Sequence, residues 1–303
     1  TISRVNACVF RATYAIGNRT INWLIYPDQS VEFENQAFTW DGISSIVIEF
    51  YFENDIPSAN SLSFETSSIS TNQALSYQGK NGYLSLNGNN YTMLEYSDEN
   101  MGAEVTIEFW SKGNGLAGTN TTFLEAYDTL GNRIMNIHMP WSNNNIYFDA
   151  GDETGYDRIN QAASNTEIDG EWNHWAFVKD QTTGQMFIYK NGQLWLAGTN
   201  KNREMGYFHR LIIGASGNQS LSWKGSLDEL RIYKSALSAV TIAANYNQKI
   251  DANHPNWSSL VLYHDFDNLS YSRDLSPNAH VLMPSDAGMI KSNTTKFVGQ
   301  NSQ

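Results

Sequence analysis

The most regular hydrophobic pattern of the chain lies between residues 175 and 196, and it predicts three antiparallel strands. In residues 175–178 and again in 186–189, apolar side chains occupy both alternating sets of positions. Strands with two apolar faces are typical of a sheet that packs on one side and packs or binds on the other. Asn191-Gly192 follows the second run and predicts a tight hairpin, because a type I′ turn needs positive φ at both central residues.

Most of the remaining chain extends this β pattern. Residues 20–26 and 45–52 are rich in β-branched and aromatic side chains and end at turn signals, which predicts two strands near the N-terminus. Turns are frequent and no long 3.6-residue periodicity is present, so the chain is predicted to be all-β. The one predicted helix lies within residues 235–248, where Ser238 would cap its N-terminus.

Six sequence motifs in a fixed order give the chain a family resemblance. They are ALSYQG (74–79), TIEFW (106–110), WNHWAFVK (172–179), TGQMFIYKNGQL (183–194), IGAS (213–216) and GSLDELRIYKSALS (225–238). In this order they resemble the laminin-G-like domains of the concanavalin A-like lectin/glucanase superfamily. Residues 149–159 are similar to a variant found in large secreted proteins of Bacteroidetes-type bacteria. The resemblance covers about residues 72–247 and implies a concanavalin A-like jelly-roll β-sandwich, a fold that hosts lectins, enzymes and spacers alike.

The resemblance divides the chain into three predicted parts. Residues 1–70 would form an N-terminal β-rich module or extension, residues 71–250 the laminin-G-like sandwich, and residues 251–303 a C-terminal β tail. The tail reads LVLYHDFD at 260–267 and DLSPNAH at 274–280, which resembles the start of a further unit beside such domains. Two interpretations stay open: the tail strands complete the present sandwich, or the chain was cut from a longer protein. The second is favoured.

Composition narrows the classes of partner and the setting. The net charge of −12 and the pI near 4.9 argue against a nucleic-acid-binding protein. They also argue against binding to an anionic membrane surface through a polybasic segment. No run approaches the ~20 apolar residues that span a bilayer. A single cysteine, Cys8, excludes an intrachain disulfide framework. The chain begins at Thr1 without a visible signal peptide. We therefore expect a secreted or cell-surface bacterial protein with a processed N-terminus.

One acidic segment suggests catalysis. Laminarinase-type glucanases of the superfamily carry E-x-D-x-E on a strand, and Glu167, Asp169 and Glu171 match these letters. On a strand the two Glu side chains would share a face, one as nucleophile and one as acid/base. However, Gly170 is a poor strand residue, and the segment precedes the strand that starts near Trp172. A solvated acidic loop is the favoured interpretation. No histidine or cysteine spacing of a zinc site is present.

The resemblance also implies a structural calcium ion. In related glucanases the Asp of a last-strand motif gives its carboxylate to calcium, and Asp228 stands at that position. Calcium takes about six to eight oxygen ligands, so Asp228 needs partners. Gln78, whose amide oxygen is a weaker ligand, replaces an Asp of the first strand, and Gly82 replaces another. The alternative is that Asp228 pairs with Arg231 or caps a turn.

Residues 141–158 and Trp195 combine aromatic rings with amides, acids and an arginine. Sugars are bound by stacking on such rings and by planar hydrogen-bonding groups on a preformed surface. The predicted glycan contacts are Trp141, Tyr147, Tyr156, Asp157, Arg158 and Trp195. The alternative is structural, with Asp157 and Arg158 forming an ion pair that holds the long loop.

Together these features favour a non-catalytic binding module of an adhesion-type, lectin-like protein. Its predicted partner is a glycan or glycoprotein. One alternative is a structural subunit that joins other chains of a larger surface assembly through its β surfaces. The less favoured alternative is a glycoside hydrolase that uses Glu167 and Glu171.

Overall fold

The structure is a computed structural model of the 303-residue chain. It describes residues 7–14, 20–25, 43–51, 82–99, 101–246, 248–267, 274–278, 280, 282–285 and 289–292. The chain divides into two compact units, residues Thr1–Ser76 and Tyr77–Gln303. None of the helices in the described ranges is long and apolar enough to cross a membrane.

The first unit contains a three-stranded antiparallel sheet. Its strands are β1 (Ala7–Tyr14), β2 (Thr20–Ile25) and β3 (Ile43–Tyr51), and β1 lies in the centre. The two strands predicted near the N-terminus correspond to β2 and β3. The strand register pairs Phe10 of β1 with Trp23 of β2 and with Ile48 of β3.

The second unit is a sandwich of two antiparallel sheets. Its elements in chain order are β4 (Gly82–Asn87), β5 (Thr92–Glu99), β6 (Glu104–Gly113), β7 (Leu124–Tyr127), β8 (Arg133–His138), β9 (Asn145–Asp152), β10 (Gly155–Ala162), α1 (Asn165–Ile168), β11 (Asn173–Asp180), β12 (Gln185–Lys190), β13 (Gln193–Thr199), β14 (Phe208–Ile213), β15 (Lys224–Tyr233), α2 (Ala239–Asn245), β16 (Leu260–His264), β17 (Met283–Pro284) and β18 (Ile290–Ser292). A 3-10 turn, Trp257–Ser259, precedes β16.

The two sheets differ in strand order. The seven-stranded sheet has the order β10-β9-β8-β7-β14-β5-β17. The eight-stranded sheet has the order β13-β12-β11-β6-β15-β4-β18, and β16 pairs with the C-terminal half of β15. The all-β jelly-roll sandwich predicted from the sequence is therefore confirmed.

The core lies between the sheets and is rich in aromatic rings. Phe109 and Phe177 belong to the eight-stranded sheet. They face Phe148 of β9 and Phe123, which directly precedes β7, and all four side chains are fully buried. Ring centroids lie 4.1 Å apart for Phe109 and Phe123, and 5.5 Å apart for Phe148 and Phe177. Burial of such rings removes a large apolar area from water and dominates the stability of the sandwich.

A second apolar cluster covers the other face of the eight-stranded sheet. Ala176, Val178 and Tyr189 pack there against Ile242 of α2 and Leu260 of β16. This cover explains why residues 175–178 have two apolar faces, since the alternate residues of β11 point into the main core.

Two local predictions are confirmed in this region. The turn between β12 and β13 has positive φ at both Asn191 and Gly192, as a type I′ turn requires. The hydroxyl of Ser238 accepts a hydrogen bond from the backbone N–H of Thr241 and caps α2, which is shorter than the predicted range of 235–248.

The C-terminal tail pairs with both sheets. β16 lies beside β15, β17 beside β5, and β18 beside β4. The backbone N–H of Gly82 donates to Oδ1 of Asp267 over 2.8 Å, which joins the start of β4 to the residues after β16. In the described residues the strands of the tail are therefore part of the sandwich, and the predicted division of the chain at residue 250 stays a prediction.

Candidate functional site

A row of polar side chains crosses the outer face of the seven-stranded sheet, the face turned away from the core. The strand register places Arg158 of β10 opposite Asp149 of β9, Asp149 opposite Asn136 of β8, and Asn136 opposite Glu125 of β7. Directly opposed residues share one face of a sheet. The alternate residues of β8 and β9, such as Ile137 and Phe148, lie in the core.

Arg158 ends this row and is held firmly. Its Nε and Nη2 donate to the two carboxylate oxygens of Asp149 over 2.6 and 2.7 Å, and these hydrogen bonds raise the pKa of the guanidinium group. The guanidinium carbon lies 5.0 Å from the ring centres of both Tyr147 and Tyr156. Because Asp149 is buried while the Arg158 side chain is 38% exposed, Arg158 presents an oriented cationic surface to solvent.

Arg133 holds a similar position near the other end of the row. Its Nη1 lies 3.3 Å from Oε1 of buried Glu125, and its side chain is 35% exposed. The other oxygen of Glu125 accepts hydrogen bonds from the Gly217 N–H and from the Tyr127 hydroxyl. Burial and this hydrogen bond to Glu125 raise the pKa of Tyr127 to about 12, so the hydroxyl keeps its proton.

His138 lies beside the row with one nitrogen engaged. Its Nδ1 lies 2.8 Å from the backbone carbonyl oxygen of Thr121 and therefore carries the proton, which leaves Nε2 as an acceptor. Burial lowers the pKa of His138, so the ring is neutral near pH 7. The imidazole packs against Trp141 with ring centroids 4.4 Å apart, and edge-on against Tyr147 at 6.1 Å.

These side chains enclose a cleft of about 300 Å³, which we call the outer cleft. It is lined by Arg133, His138, Trp141, Tyr147, Arg158 and Leu221. A volume near 300 Å³ lies at the lower end of the range of small-molecule sites.

The walls of the outer cleft are fixed by backbone hydrogen bonds. Trp141 follows Pro140, whose carbonyl oxygen accepts hydrogen bonds from both the N–H and the hydroxyl of Thr121. On the opposite wall, the carbonyl oxygen of Leu221 accepts a hydrogen bond from the N–H of Thr122 over 2.8 Å. Because neighbouring residues 121 and 122 hold both walls, the cleft is preformed.

Asn136 lies between the two ion pairs of the row. Its side chain is fully buried, yet neither polar atom of its amide has a hydrogen-bond partner in the described part of the chain. A buried amide without partners costs about 1–3 kcal/mol. Such a group marks a position where a water molecule or a ligand group is expected.

Comparison with known proteins identifies the family. A model of the concanavalin A-like lectin/glucanase superfamily, of the laminin-G type, matches residues 78–243, which is more than half of the chain. The chain belongs to this superfamily. The family predicted from the sequence motifs is thereby confirmed. No curated protein sequence matches this concanavalin A-like chain.

Several solved structures are similar to this chain at low sequence identity. A Bacteroides ovatus protein described as carbohydrate-binding has a TM-score of 0.54 and 15% identity, with 72% of this chain and 61% of that chain covered. A heptameric pentraxin of Limulus polyphemus has a TM-score of 0.45 and 14% identity, with 56% and 83% covered. Domain 4 of an extracellular arabinanase of Geobacillus stearothermophilus, solved with arabinotriose, has a TM-score of 0.42 and 24% identity, with 54% and 75% covered.

The outer cleft of this concanavalin A-like domain contains three of the six predicted glycan contacts, Trp141, Tyr147 and Arg158. A fourth, Tyr156, touches Arg158 from beside the cleft, with its hydroxyl 3.4 Å from Nη2. The lining also includes Arg133, which the sequence did not indicate.

Asp157 and Trp195 lie elsewhere in the concanavalin A-like domain. Asp157 and Arg158 are successive residues of β10, so their side chains lie on opposite faces of the sheet. The carboxylate of Asp157 accepts a hydrogen bond from the buried Lys179 ammonium over 2.7 Å. Trp195 lies edge-on against Trp175 with centroids 5.4 Å apart, and its indole N–H donates to Glu167. Both side chains are therefore engaged in the packing of the fold. The predicted pairing of Asp157 with Arg158 is wrong, because Arg158 pairs with Asp149.

The acidic segment does not form the strand that a glucanase motif requires. Glu167 lies in α1, where its carboxylate binds the Lys190 ammonium. Asp169 accepts hydrogen bonds from the backbone N–H of Leu116 with both oxygens, over 2.9 and 3.0 Å. Glu171 is exposed. The alternation that would place Glu167 and Glu171 on one strand face is absent from this segment, and the favoured loop interpretation fits it better.

Asp228 is fully buried in β15, and its Oδ1 accepts a hydrogen bond from the N–H of Glu229 over 2.8 Å. The neighbouring Glu229 carboxylate binds Arg231 and lies 3.7 Å from the Lys249 ammonium. In the described ranges no group of three or more His, Cys, Asp or Glu is arranged to hold a metal ion. Gln78, the predicted companion ligand, lies outside the described residues. Calcium at Asp228 stays a prediction.

Proposed function

We propose that this concanavalin A-like chain is a non-catalytic glycan-binding module and that its binding site is the outer cleft. The observation that carries the proposal is the preformed, aromatic-walled cleft of about 300 Å³ that combines Trp141 and Tyr147 with Arg158. The Bacteroides ovatus protein, which shares the fold and is described as carbohydrate-binding, supports this proposal.

The chemistry of the cleft suits a sugar. Pyranose rings present apolar C–H faces that stack on aromatic rings, and hydroxyl groups that need oriented hydrogen-bonding partners. Trp141 is partly exposed and supplies the ring, and the His138 imidazole beneath it fixes its position. Because the walls are fixed before a ligand arrives, binding loses little conformational entropy.

The state of the carboxylates supports binding rather than hydrolysis. Glycoside hydrolysis uses one protonated and one ionised carboxyl group beside the scissile bond. At the outer cleft, Asp149 is bound by Arg158 through both oxygens, and Glu125 is bound by donors at both oxygens. A carboxylate whose oxygens are bound in this way within the protein is not placed to act on a glycosidic bond. We place the module at the cell surface or outside the cell, with a glycan or glycoprotein as its partner.

Replacing Trp141 with Ala is expected to weaken glycan binding by about two- to tenfold, because a stacked aromatic ring contributes roughly 0.5–1.5 kcal/mol beyond its buried area. The measurement is a glycan-array screen of the purified chain, followed by titration of the bound glycans against wild type and variant. Trp172→Ala is the matched control, because Trp172 is also partly exposed but packs against Tyr83 of the eight-stranded sheet. If both variants lose the same glycan affinity, or if Trp141→Ala loses none, the glycan does not bind at the outer cleft.

A further inference from the structure

We infer that the glycan bound in the outer cleft carries a carboxylate, as uronic and sialic acids do, and that Arg133 and Arg158 recognise this group. The inference rests on the proposed function and specifies its ligand class. Some hydrogen-bonding groups around the cleft already have partners within the protein, and the groups that remain for a ligand indicate its chemistry.

The two buried carboxylates of the polar row already accept hydrogen bonds within the protein. Both oxygens of Asp149 accept from Arg158. The two oxygens of Glu125 accept from Arg133, the Gly217 N–H and the Tyr127 hydroxyl. Neutral sugars are usually held by carboxylate or amide oxygens that accept from their hydroxyl groups. Each of these four oxygens already accepts at least one hydrogen bond within the protein, so the two buried carboxylates have fewer lone pairs to offer to sugar hydroxyl groups.

The donors of the cleft are in excess. Nη1 of Arg158, and Nε and Nη2 of Arg133, make no hydrogen bond within the described part of the chain. Both guanidinium groups are more than a third exposed and lie within 6 Å of the Tyr156 ring, so they approach the same region. Asn136, between their ion pairs, adds an amide whose nitrogen and oxygen both lack a partner in the described ranges. Against these donors stand two open acceptors, Oδ1 of Asn136 and Nε2 of His138, so donors outnumber acceptors. A ligand that supplies acceptors matches this surplus.

A planar carboxylate is the acceptor that arginine binds best. The fixed fork of N–H groups on a guanidinium matches two carboxylate oxygens, and hydrogen bonds between charged groups are roughly twice as strong as neutral ones. The buried carboxylates behind Arg133 and Arg158 orient the two forks without closing their outward N–H groups. The chain as a whole carries −12, which opposes the long-range attraction of an acidic glycan, so its recognition depends on local cations such as these two groups.

The test compares acidic oligosaccharides with their own methyl esters. Oligosaccharides that contain galacturonic, glucuronic or N-acetylneuraminic acid are titrated calorimetrically beside the corresponding esters, which keep the rings and hydroxyl groups but lose the charge. At least one acid is expected to bind about tenfold or more tightly than its ester, and this preference should shrink at high ionic strength.

Variants assign the preference to the cleft. Arg133→Gln is expected to bring the acid and the ester to similar affinities, while the fold is retained because Glu125 keeps its hydrogen bonds from the Gly217 N–H and the Tyr127 hydroxyl. Far-UV circular dichroism and the unfolding midpoint of the variant check that the fold is retained. Arg203→Gln removes the same charge from an exposed arginine outside the cleft and should keep the preference. Equal affinity for acid and ester in wild type, or binding of neutral or sulfated glycans alone, would overturn this inference and leave glycan binding intact. No binding to any glycan would instead overturn the proposed function.

Discussion

Replacing Arg231 with Met is expected to lower the free energy of unfolding by about 3–5 kcal/mol. Arg231 is fully buried in β15, and its Nη2 donates to Glu229 over 2.7 Å and to the carbonyl oxygen of Gln248 over 2.9 Å. The guanidinium group also lies 5.2 Å from the centre of the Tyr263 ring. The substitution leaves the Glu229 carboxylate buried without this cation and removes the link between β15 and the residues after α2.

The matched control for Arg231→Met is Lys190→Met, which removes a cation from an ion pair near the surface. Lys190 and Glu167 are 25% and 19% exposed, and such pairs contribute at most about 1 kcal/mol. Urea unfolding followed by far-UV circular dichroism measures both variants. Losses of similar size in the two variants would contradict a stabilising role for the buried Arg231 network.

Replacing Glu108 with Gln is expected to stabilise the protein at pH 8 by about 3 kcal/mol and to change little near pH 4.5. Glu108 of β6 is fully buried beneath α2, and its Oε2 accepts a hydrogen bond from the side-chain amide of Asn245 over 2.8 Å. Burial raises the pKa of Glu108 from 4.5 to about 7, although the Arg231 charge opposes this shift. Between these two pH values the folded chain keeps a proton that the unfolded chain has lost. The free energy of unfolding therefore falls by about 1.4 kcal/mol per pH unit as pH rises through this window.

His174 contributes a pH dependence of the opposite sign. Burial lowers its pKa to about 3, so the unfolded chain takes up a proton below pH 6.5 that the folded chain does not, and stability falls as pH drops from 6.5 towards 3. His174 is present in both wild type and Glu108→Gln, but its Nε2 lies 3.9 Å from Oε1 of Glu108, so the difference between the two reports Glu108 together with its interaction with His174. Thermal or urea unfolding at several pH values between 4.5 and 8 measures it. A difference that does not vary with pH would show that Glu108 is ionised in the folded chain throughout.

The fold could be predicted from the sequence because its signals are local. Asn191-Gly192 needs no neighbours to specify a tight turn, and Ser238 caps α2 within one turn of its own position. The two-faced apolar strand at residues 175–178 indicated a covered sheet, although it did not indicate that α2 and β16 form the cover. That information depends on contacts between residues far apart in sequence.

The site could be predicted only in part for the same reason. Trp141, Tyr147 and Arg158 stand close together in an aromatic-rich segment, which was enough to select them. Strand alternation would have separated Asp157 from Arg158 had β10 been recognised. Leu221 enters from a loop that is remote in sequence, and nothing near it in the chain indicates its position beside Trp141.

The most direct test of glycan binding at the outer cleft follows the indole N–H signals of the tryptophans by NMR while a glycan is added. The chain contains nine tryptophans, and a Trp141→Phe variant assigns the relevant signal by its absence. We predict that the Trp141 signal shifts in proportion to saturation, whereas the signals of the fully buried Trp175 and Trp223 keep their positions. A glycan that binds without moving the Trp141 signal would contradict binding at the outer cleft, because the sugar would then lie on another surface of the sandwich.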